Sequence, residues 1–396
     1  MVEKIKQLSE QYYQEIIAIR EHLHANPELS FQEQKTSEFV QRKLTEYGVE
    51  FKSGYVETGI VGLIKGKNPE SKTIALRADL DALPIVEENK VAYCSTNKGV
   101  MHACGHDAHT ACLLGAAKIL KQLENEFEGT VKLIFQPGEE RLPGGAKLMI
   151  EEGVLENPTP QKIIGHHVLP DLEVGKVGFR KGMYMASADE IHVTVKGKGG
   201  HAALPHKLID PILIASNIIV SLQQIVSRSA KADIPSVLSF GKIIGEGSTN
   251  IIPDEVKLEG TFRTMDEEWR FDAHKKMKKL AESIAEGMGG SCDFDVRVGY
   301  PFLVNDDKVT ETHIQAARKY LGDENVIDLG LRMTAEDFAY YSQLAPVCFY
   351  RLGTRNEAKG ITSGLHTSTF DIDNKALELG MGLMAYGAVK QLKAIE

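Results

Sequence analysis

The apolar residues first recur at helical spacing. Ile5, Leu8, Tyr12, Ile16, Ile19 and Leu23 follow one another at three- and four-residue steps, which puts them on one face of an N-terminal helix. Asn26-Pro27 ends that helix, because the residue before a proline is pushed out of the α region. A second helix is predicted over 34–47, with Gly48 as its C-cap. Strand-like runs follow at 59–65 and 73–78, separated by the turn-rich GKNPESK. Next come a helix near 109–123, a strand at 130–136, a helix at 144–152 and strands at 162–168 and 175–179. Strands alternating with helices predict an α/β layered domain.

From residue 189 the rhythm changes. Ile191, Val193 and Val195 alternate as in a half-buried strand. Asp210-Pro211 opens a helix over 210–229 as N-cap and first helical residue. Strands at 236–243 and 256–264, a helix at 267–288 and an alternating strand at 292–300 complete a βαββαβ order, the ferredoxin-like arrangement. After Pro301 the mixture of helix and strand resumes, with helices at 308–321, 335–343 and 374–393 and a strand at 347–352. These last residues are read as completing the first domain. The predicted organisation is therefore a domain of residues 1–186 and 302–396, with a mixed sheet flanked by helices, interrupted by an inserted unit at 187–301. A length of 396 residues exceeds what one core usually supports, which agrees with two domains.

Composition narrows the function. At 42% hydrophobic and 26% charged the chain reads as globular, which excludes a disordered or low-complexity protein. The net charge of −9 and the absence of any Lys/Arg block argue against nucleic-acid binding. No apolar run approaches the ~20 residues of a membrane span. The charged, amphipathic start lacks a signal-peptide core, so a cytoplasmic protein is expected. Five cysteines are too few, and odd in number, for a disulfide framework.

Candidate chemistry collects in the outer segments. HACGHDAHT (102–110) brings Cys104, His106, Asp107 and His109 close together in sequence, and in extended backbone Cys104 and His106 would point the same way. Glu139 and Glu140 follow the strand at 130–136, where α/β sheets carry their ligand sites. One could ligate a metal while its neighbour faces a water. His166-His167 sit at the end of another strand, Asp79 and Asp81 at the end of a third, and His366 in a glycine-flanked loop. Thiolate, imidazole and carboxylate together suit Zn²⁺ or a similar first-row ion, and the number of candidates suits two ions better than one. In the inserted unit the glycine-rich KGKGGHAALPH carries His201, and Asn250 precedes a strand with Arg263, a side chain able to grip a carboxylate. His192, His206, His274 and His313 are read as satisfied turn or surface residues. Two other readings stay open on the residues alone. One is a hydrolase with Cys104 as nucleophile, and the other a non-catalytic binding protein with a structural metal.

RADLDALP (77–84), MHACGHDAHT (101–110), PGEE (137–140), HHVLPDL (166–172), GGHAALPH (199–206), TNIIPDEVKLEGTFRT (249–264), AEDFAYY (335–341) and GLHTSTFDID (364–373) together resemble the aminoacylase/carboxypeptidase superfamily of di-metal hydrolases. With HLHANPELSFQE (22–33), they resemble more narrowly its hippurate hydrolase and auxin-conjugate amidohydrolase branch. The resemblance implies an exopeptidase-like catalytic domain holding two divalent ions, Zn²⁺ or Mn²⁺ with Co²⁺ or Ni²⁺ as further candidates. It also implies an inserted lid that makes a homodimer. It gives Cys104 as bridging ligand, His106, Glu140, His167 and His366 as the other ligands, Glu139 as general base and Asp81 as a carboxylate behind the metals. In the lid it gives His201 as a group polarising the scissile carbonyl, in its own or the partner subunit's site, and Asn250 and Arg263 as holders of the substrate carboxylate. The expected reaction is amide hydrolysis of an N-acyl amino acid or peptide-like conjugate. PGEER in place of PAEEG and HHVLP in place of HVWP or HNWP leave the ligands intact and bear on the acyl group accepted.

Overall fold

The N-terminal apolar face does become buried. Ile5, Leu8, Ile16, Ile19 and Leu23 all lie in the core along α1, Val2–Ala25. The computed structural model describes residues 1–395. The chain continues through α2 (Gln34–Glu46), β1 (Glu50–Tyr55), β2 (Gly59–Lys65), β3 (Thr73–Asp79), α3 (His106–Gln122), β4 (Thr130–Gln136), α4 (Gly145–Glu151), β5 (Lys162–Glu173) and β6 (Val177–Phe179). Then come β7 (Asp189–Lys196), α5 (Pro211–Gln224), β8 (Ser236–Ile244), β9 (Glu255–Thr264), α6 (Glu267–Gly287) and β10 (Ser291–Val298). The last stretch holds α7 (Asp307–Leu321), β11 (Val326–Asp328), α8 (Ala339–Ser342), β12 (Val347–Arg355) and α9 (Lys375–Lys393).

Two compact units result. The first comprises Met1–Tyr184, Val304–Leu331 and the described chain from Asp337, and the second Met185–Leu303 and Arg332–Glu336. In the first, an eight-stranded mixed sheet runs β1-β2-β4-β3-β5-β12-β6-β11. Its central strands β3, β4, β5 and β12 are parallel neighbours. β3 and β4 are buried along their whole length, as strands covered on both faces must be. α1, α3 and α9 pack together in the same core, and every residue of α3 from His106 to Ala117 is buried. In the second unit a four-stranded antiparallel sheet runs β8-β9-β7-β10, with α5 and α6 sharing its separate core. Asp210 caps α5 by accepting the Ile212 and Leu213 N–H groups at 2.9 and 3.2 Å, worth about 1 kcal/mol.

Several sequence expectations are corrected. α3 starts at His106, three residues before the predicted start, so His106 and His109 stand one helical turn apart. β5 continues to Glu173, which places His166-His167 in mid-strand. The helix expected at 335–343 is a single turn, because the Asp337 carboxylate is taken up by Arg77, Gln136 and the Ala146 N–H. β1 has no apolar alternation and was not expected; it is held only as the antiparallel edge beside β2. The helix at 210–229 ends its regular part at Gln224 and finishes as a π turn over Ile225–Ser229. Pro211–Ser229 is also long and apolar enough, by length and composition, to cross a membrane, contrary to expectation. Ile214, Ile218, Leu222 and Ile225 bury one of its faces in the core of the second unit.

Candidate metal centre

The centre is assembled where the parallel strands end. Asp79 closes β3, and Asp81 follows two residues later; both are fully buried. Such carboxylates need fixed partners or a cation. Asp79 is held by Arg77 at 2.7 Å and by His109 Nδ1 at 2.6 Å. Asp81 organises the loop after β4, since its two oxygens accept the Glu139 and Glu140 N–H groups at 3.0 Å each. It also accepts the Ser30 hydroxyl at 2.6 Å and lies 3.2 Å from His106 Nδ1. The His106 Nδ1–H donates to the Asp81 carbonyl at 2.9 Å, which turns Nε2 toward the cluster.

Gly105 makes the turn between Cys104 and His106. Its φ of +89° is left-handed, and a Cβ there would come within 2.4 Å of Val168 Cγ2. Only glycine lets α3 start against β5. His109 reinforces this junction. With its Nδ1–H on Asp79, its Nε2 accepts the Val168 N–H at 2.9 Å. His167 donates from Nδ1 to the Val168 carbonyl at 2.7 Å, and its Nε2 stands 3.3 Å from Cys104 Sγ. His366, at φ +59° with its N–H on the Ala103 carbonyl, brings its own Nε2 to 3.3 Å from the same sulfur and 3.2 Å from Glu140 Oε1.

Five sets of donor atoms occur among the described residues, each with all atoms within 4.8 Å of one another: Cys104, His106 and His167; Cys104, Glu140 and His366; His106, Glu139 and Glu140; Asp79, His106 and His109; Glu139, Glu336 and Asp337. Cys104 belongs to two of them. Among the described residues His106 Nε2 is buried without a hydrogen-bond partner, 4.0 Å from Glu140 Oε1 and 3.7 Å from Asp79 Oδ2. Burial works against charging His106, but Asp79, Asp81 and Glu140 outweigh it and hold its pKa up to about 10. Burial, with Glu140, Glu139 and Asp79, pushes the Cys104 thiol well above its ordinary value. A nucleophilic thiolate needs an electropositive setting, so this thiol is poorly placed to attack on its own. A mixed sulfur, nitrogen and oxygen set, crowded with carboxylates and holding an orphaned imidazole nitrogen, fits divalent transition ions.

The comparisons with known proteins agree with that chemistry. A family model described as peptidase family M20/M25/M40 matches residues 75–388. The chain belongs to this family. It is accordingly a metal-dependent hydrolase of amide bonds. It is 40% identical over 378 residues to an N-acetyl-L-cysteine deacetylase of Bacillus subtilis, covering 96% of this chain and 88% of that one. It is 42% identical over 311 residues to an N-acyl-L-amino acid amidohydrolase of Geobacillus stearothermophilus, covering 78% and 83%. A crystal structure from Bacillus subtilis, described as a dinuclear metal binding peptidase from the M20 family, superposes with a TM-score of 0.84 at 35% identity, covering 98% and 99%.

The fold thus gathers Asp81, Cys104, His106, Glu139, Glu140, His167 and His366 in the first unit. His166, on the opposite face of β5, is excluded, and its Nδ1 lies 3.3 Å from the Tyr350 hydroxyl. In the second unit His201 is exposed and pairs with Ile251, and the Ala202 N–H donates to the Asn250 carbonyl at 3.0 Å, so His201 and Asn250 are neighbours. Arg263 lies on β9, half-buried, opposite Val237. Two of the histidines read as surface or turn residues are not. His274 is buried on Asp189 at 2.8 Å, and His313 is fully buried beside Tyr350, where burial drives its pKa down to about 3. Sequence reasoning gave no role to His109 or Glu33. The signal for His109 was its three-residue spacing from His106, hidden while the helix was taken to begin at 109.

Proposed function

We propose that the protein hydrolyses the amide bond of N-acyl amino acids or small aminoacyl conjugates, with Glu139 as general base and a pair of divalent ions held by Cys104, His106, Glu140, His167 and His366. The observation that carries this is the sharing of Cys104 between two donor sets, with Glu139 in a third set at their border. When bound, such ions supply Lewis acidity toward the scissile carbonyl and make a water acidic enough to ionise near neutral pH. Zn²⁺ or Mn²⁺ are the ions we assign, a thiolate favouring zinc and the carboxylates and imidazoles admitting manganese.

The chain's own residues then have separable tasks. Asp81 fixes the backbone of both glutamates, so the two side chains diverge. Glu140 turns to His366, while Glu139 Oε1 lies 3.4 Å from the Asp337 N–H. Glu139, only 7% exposed, takes a proton from the attacking water and returns it to the leaving amine. The inserted stretch 187–301, which falls within the second unit, acts as a lid in this reading. His201 steadies the charge developing on the carbonyl oxygen, and Asn250 and Arg263 grip the substrate carboxylate.

The same unit joins two copies in a homodimer. Its sheet has unlike edges. β10 alternates Asp293, Asp295 and Arg297, which discourages pairing, whereas β8 exposes Val237, Ile243 and Ile244. All five cysteines are free thiols, which suits the cytoplasmic placement assigned here. The test is a panel of N-acetyl, N-benzoyl and indole-acetyl amino acids given to metal-stripped protein, then repeated with each ion. Metal-dependent release of the free amino acid is expected. Full turnover under chelator, abolished by alkylating Cys104, would contradict it.

A further inference from the structure

The segment Ser30–Glu33 lies far from the metal donors in sequence, and nothing in the reaction outlined above uses it. Glu33 is nevertheless 0% exposed. A buried carboxylate is kept only where its lone pairs are met. Its Oε1 accepts two backbone N–H groups, Phe31 at 2.8 Å and Gly138 at 2.9 Å, and its Oε2 accepts the Thr58 hydroxyl at 2.9 Å. Gly138 immediately precedes Glu139. Next to it, the Phe31 ring lies where a Gly138 Cβ would be, 2.3 Å from Phe31 Cε1, and Gly138 itself sits at φ +62°. Phe31 has φ +66°, a conformation costly for a bulky L-residue and kept only when its surroundings dictate it. One residue earlier, the Ser30 hydroxyl donates to Asp81 at 2.6 Å, the same carboxylate that holds the Glu139 and Glu140 N–H groups.

Three contacts from one segment, at Phe31 and Glu33 directly and at Ser30 through Asp81, therefore converge on the loop that carries the base. We infer that Glu33 is a positioning residue for Glu139: by anchoring the Gly138 N–H, it sets the backbone from which the base is presented, with Phe31 and Ser30 closing the clamp on either side. The inference rests on the proposed role of Glu139. Substrate is not touched by Glu33, so its loss reaches the chemical step and leaves substrate binding alone. Misplacing a catalytic group, or losing such a supporting contact, costs about 10- to 100-fold.

The test compares Glu33→Ala, Glu33→Asp and Glu33→Gln in fully metal-loaded protein, with backbone hydrogen exchange of the 137–140 loop as a readout independent of activity. Glu33→Ala is expected to lower kcat about 10- to 100-fold with KM within about twofold, and to speed exchange at the Gly138 amide while α3 stays protected. Glu33→Gln keeps an acceptor oxygen and is expected to restore both. Glu33→Asp retains a carboxyl group at the same buried position but withdraws it by one methylene, and decides the matter should the alanine variant not fold. It should lower kcat and loosen Gly138. A kcat within twofold of the parent, or a slow Gly138 amide, in the folded alanine or aspartate variant overturns the inference. Absence of amide hydrolysis by the parent itself would instead overturn the proposed function, and the exchange readout would still decide whether Glu33 anchors the loop.

Discussion

The metal centre of the first unit and the His201–Asn250 pair of the second are built in opposite ways. Around the centre, each of the buried side chains Asp79, Asp81, His109 and His167 has a partner that fixes its direction, and several of those partners are backbone groups. His201 and Asn250 are exposed, the first on a two-residue strand and the second in the turn just before another, and their side-chain contacts are local: His201 Nδ1 with the Ala203 N–H and Asn250 Oδ1 with the Ser248 hydroxyl. Rigid placement is what proton transfer and metal ligation require, since both fail with displacements of about 1 Å. Exposed, sparsely tied residues can adapt to different substrates. In the proposed reading, the contrast puts metal ligation and proton transfer in the first unit and the grip on the substrate in the second.

The largest effect should come from the rigid side. Glu139→Ala is expected to reduce kcat about 10²- to 10⁴-fold while leaving metal content unchanged, as read by steady-state kinetics beside elemental analysis. Asp81→Ala is expected to come next, weakening metal affinity about 10- to 100-fold, because it frees the backbone of both glutamates and the orientation of His106. Competition with a graded chelator measures it. A smaller and different signature is expected for Asn250→Ala. It should leave metal affinity unchanged and raise KM with kcat little changed, whereas Glu139→Ala should lower kcat with KM little changed. Equal depression of kcat by both would erase the contrast between the units.

The smallest effect is on stability in acid, through the network behind the start of α3. His24 bonds to Asp107 at 2.8 Å and to Glu87 at 3.1 Å. Burial tends to raise the Glu87 carboxyl, but bonds from His24 and the Ser95 N–H outweigh it and bring its pKa down to about 2. A carboxyl whose folded pKa lies below its unfolded value stabilises fully above that unfolded value. Glu87 therefore contributes above its ordinary 4.5 and loses this contribution as pH falls toward about 2. Thermal unfolding of Glu87→Gln should show a shallower decline over that window than the parent. An unchanged slope would remove Glu87 from the account.

The sequence made some of this legible and hid the rest for physical reasons. The helical steps of α1 and the unbroken apolar β4 announce themselves, because burial dictates their residues. The ligand candidates were visible as unusual side chains at strand ends. Which of them converge was not, because that depends on small backbone choices: Gly105 starting α3 three residues early, or β5 continuing through Pro170 and so sending His166 and His167 to opposite faces. Glu33 stood in the sequence only as part of HLHANPELSFQE (22–33), and only the fold reveals that a loop more than a hundred residues away closes over it. The neighbouring positions of His201 and Asn250 depend on strands too short to leave any periodicity.

The most direct measurement of the central claim is the number of divalent ions per folded chain, found by elemental analysis during stepwise titration of metal-stripped protein while amide hydrolysis is followed. The account predicts two ions per chain, activity that appears as they bind, and loss of the second with Cys104→Ala. Full hydrolysis with no bound ion, or the same stoichiometry and activity without the Cys104 sulfur, would contradict it.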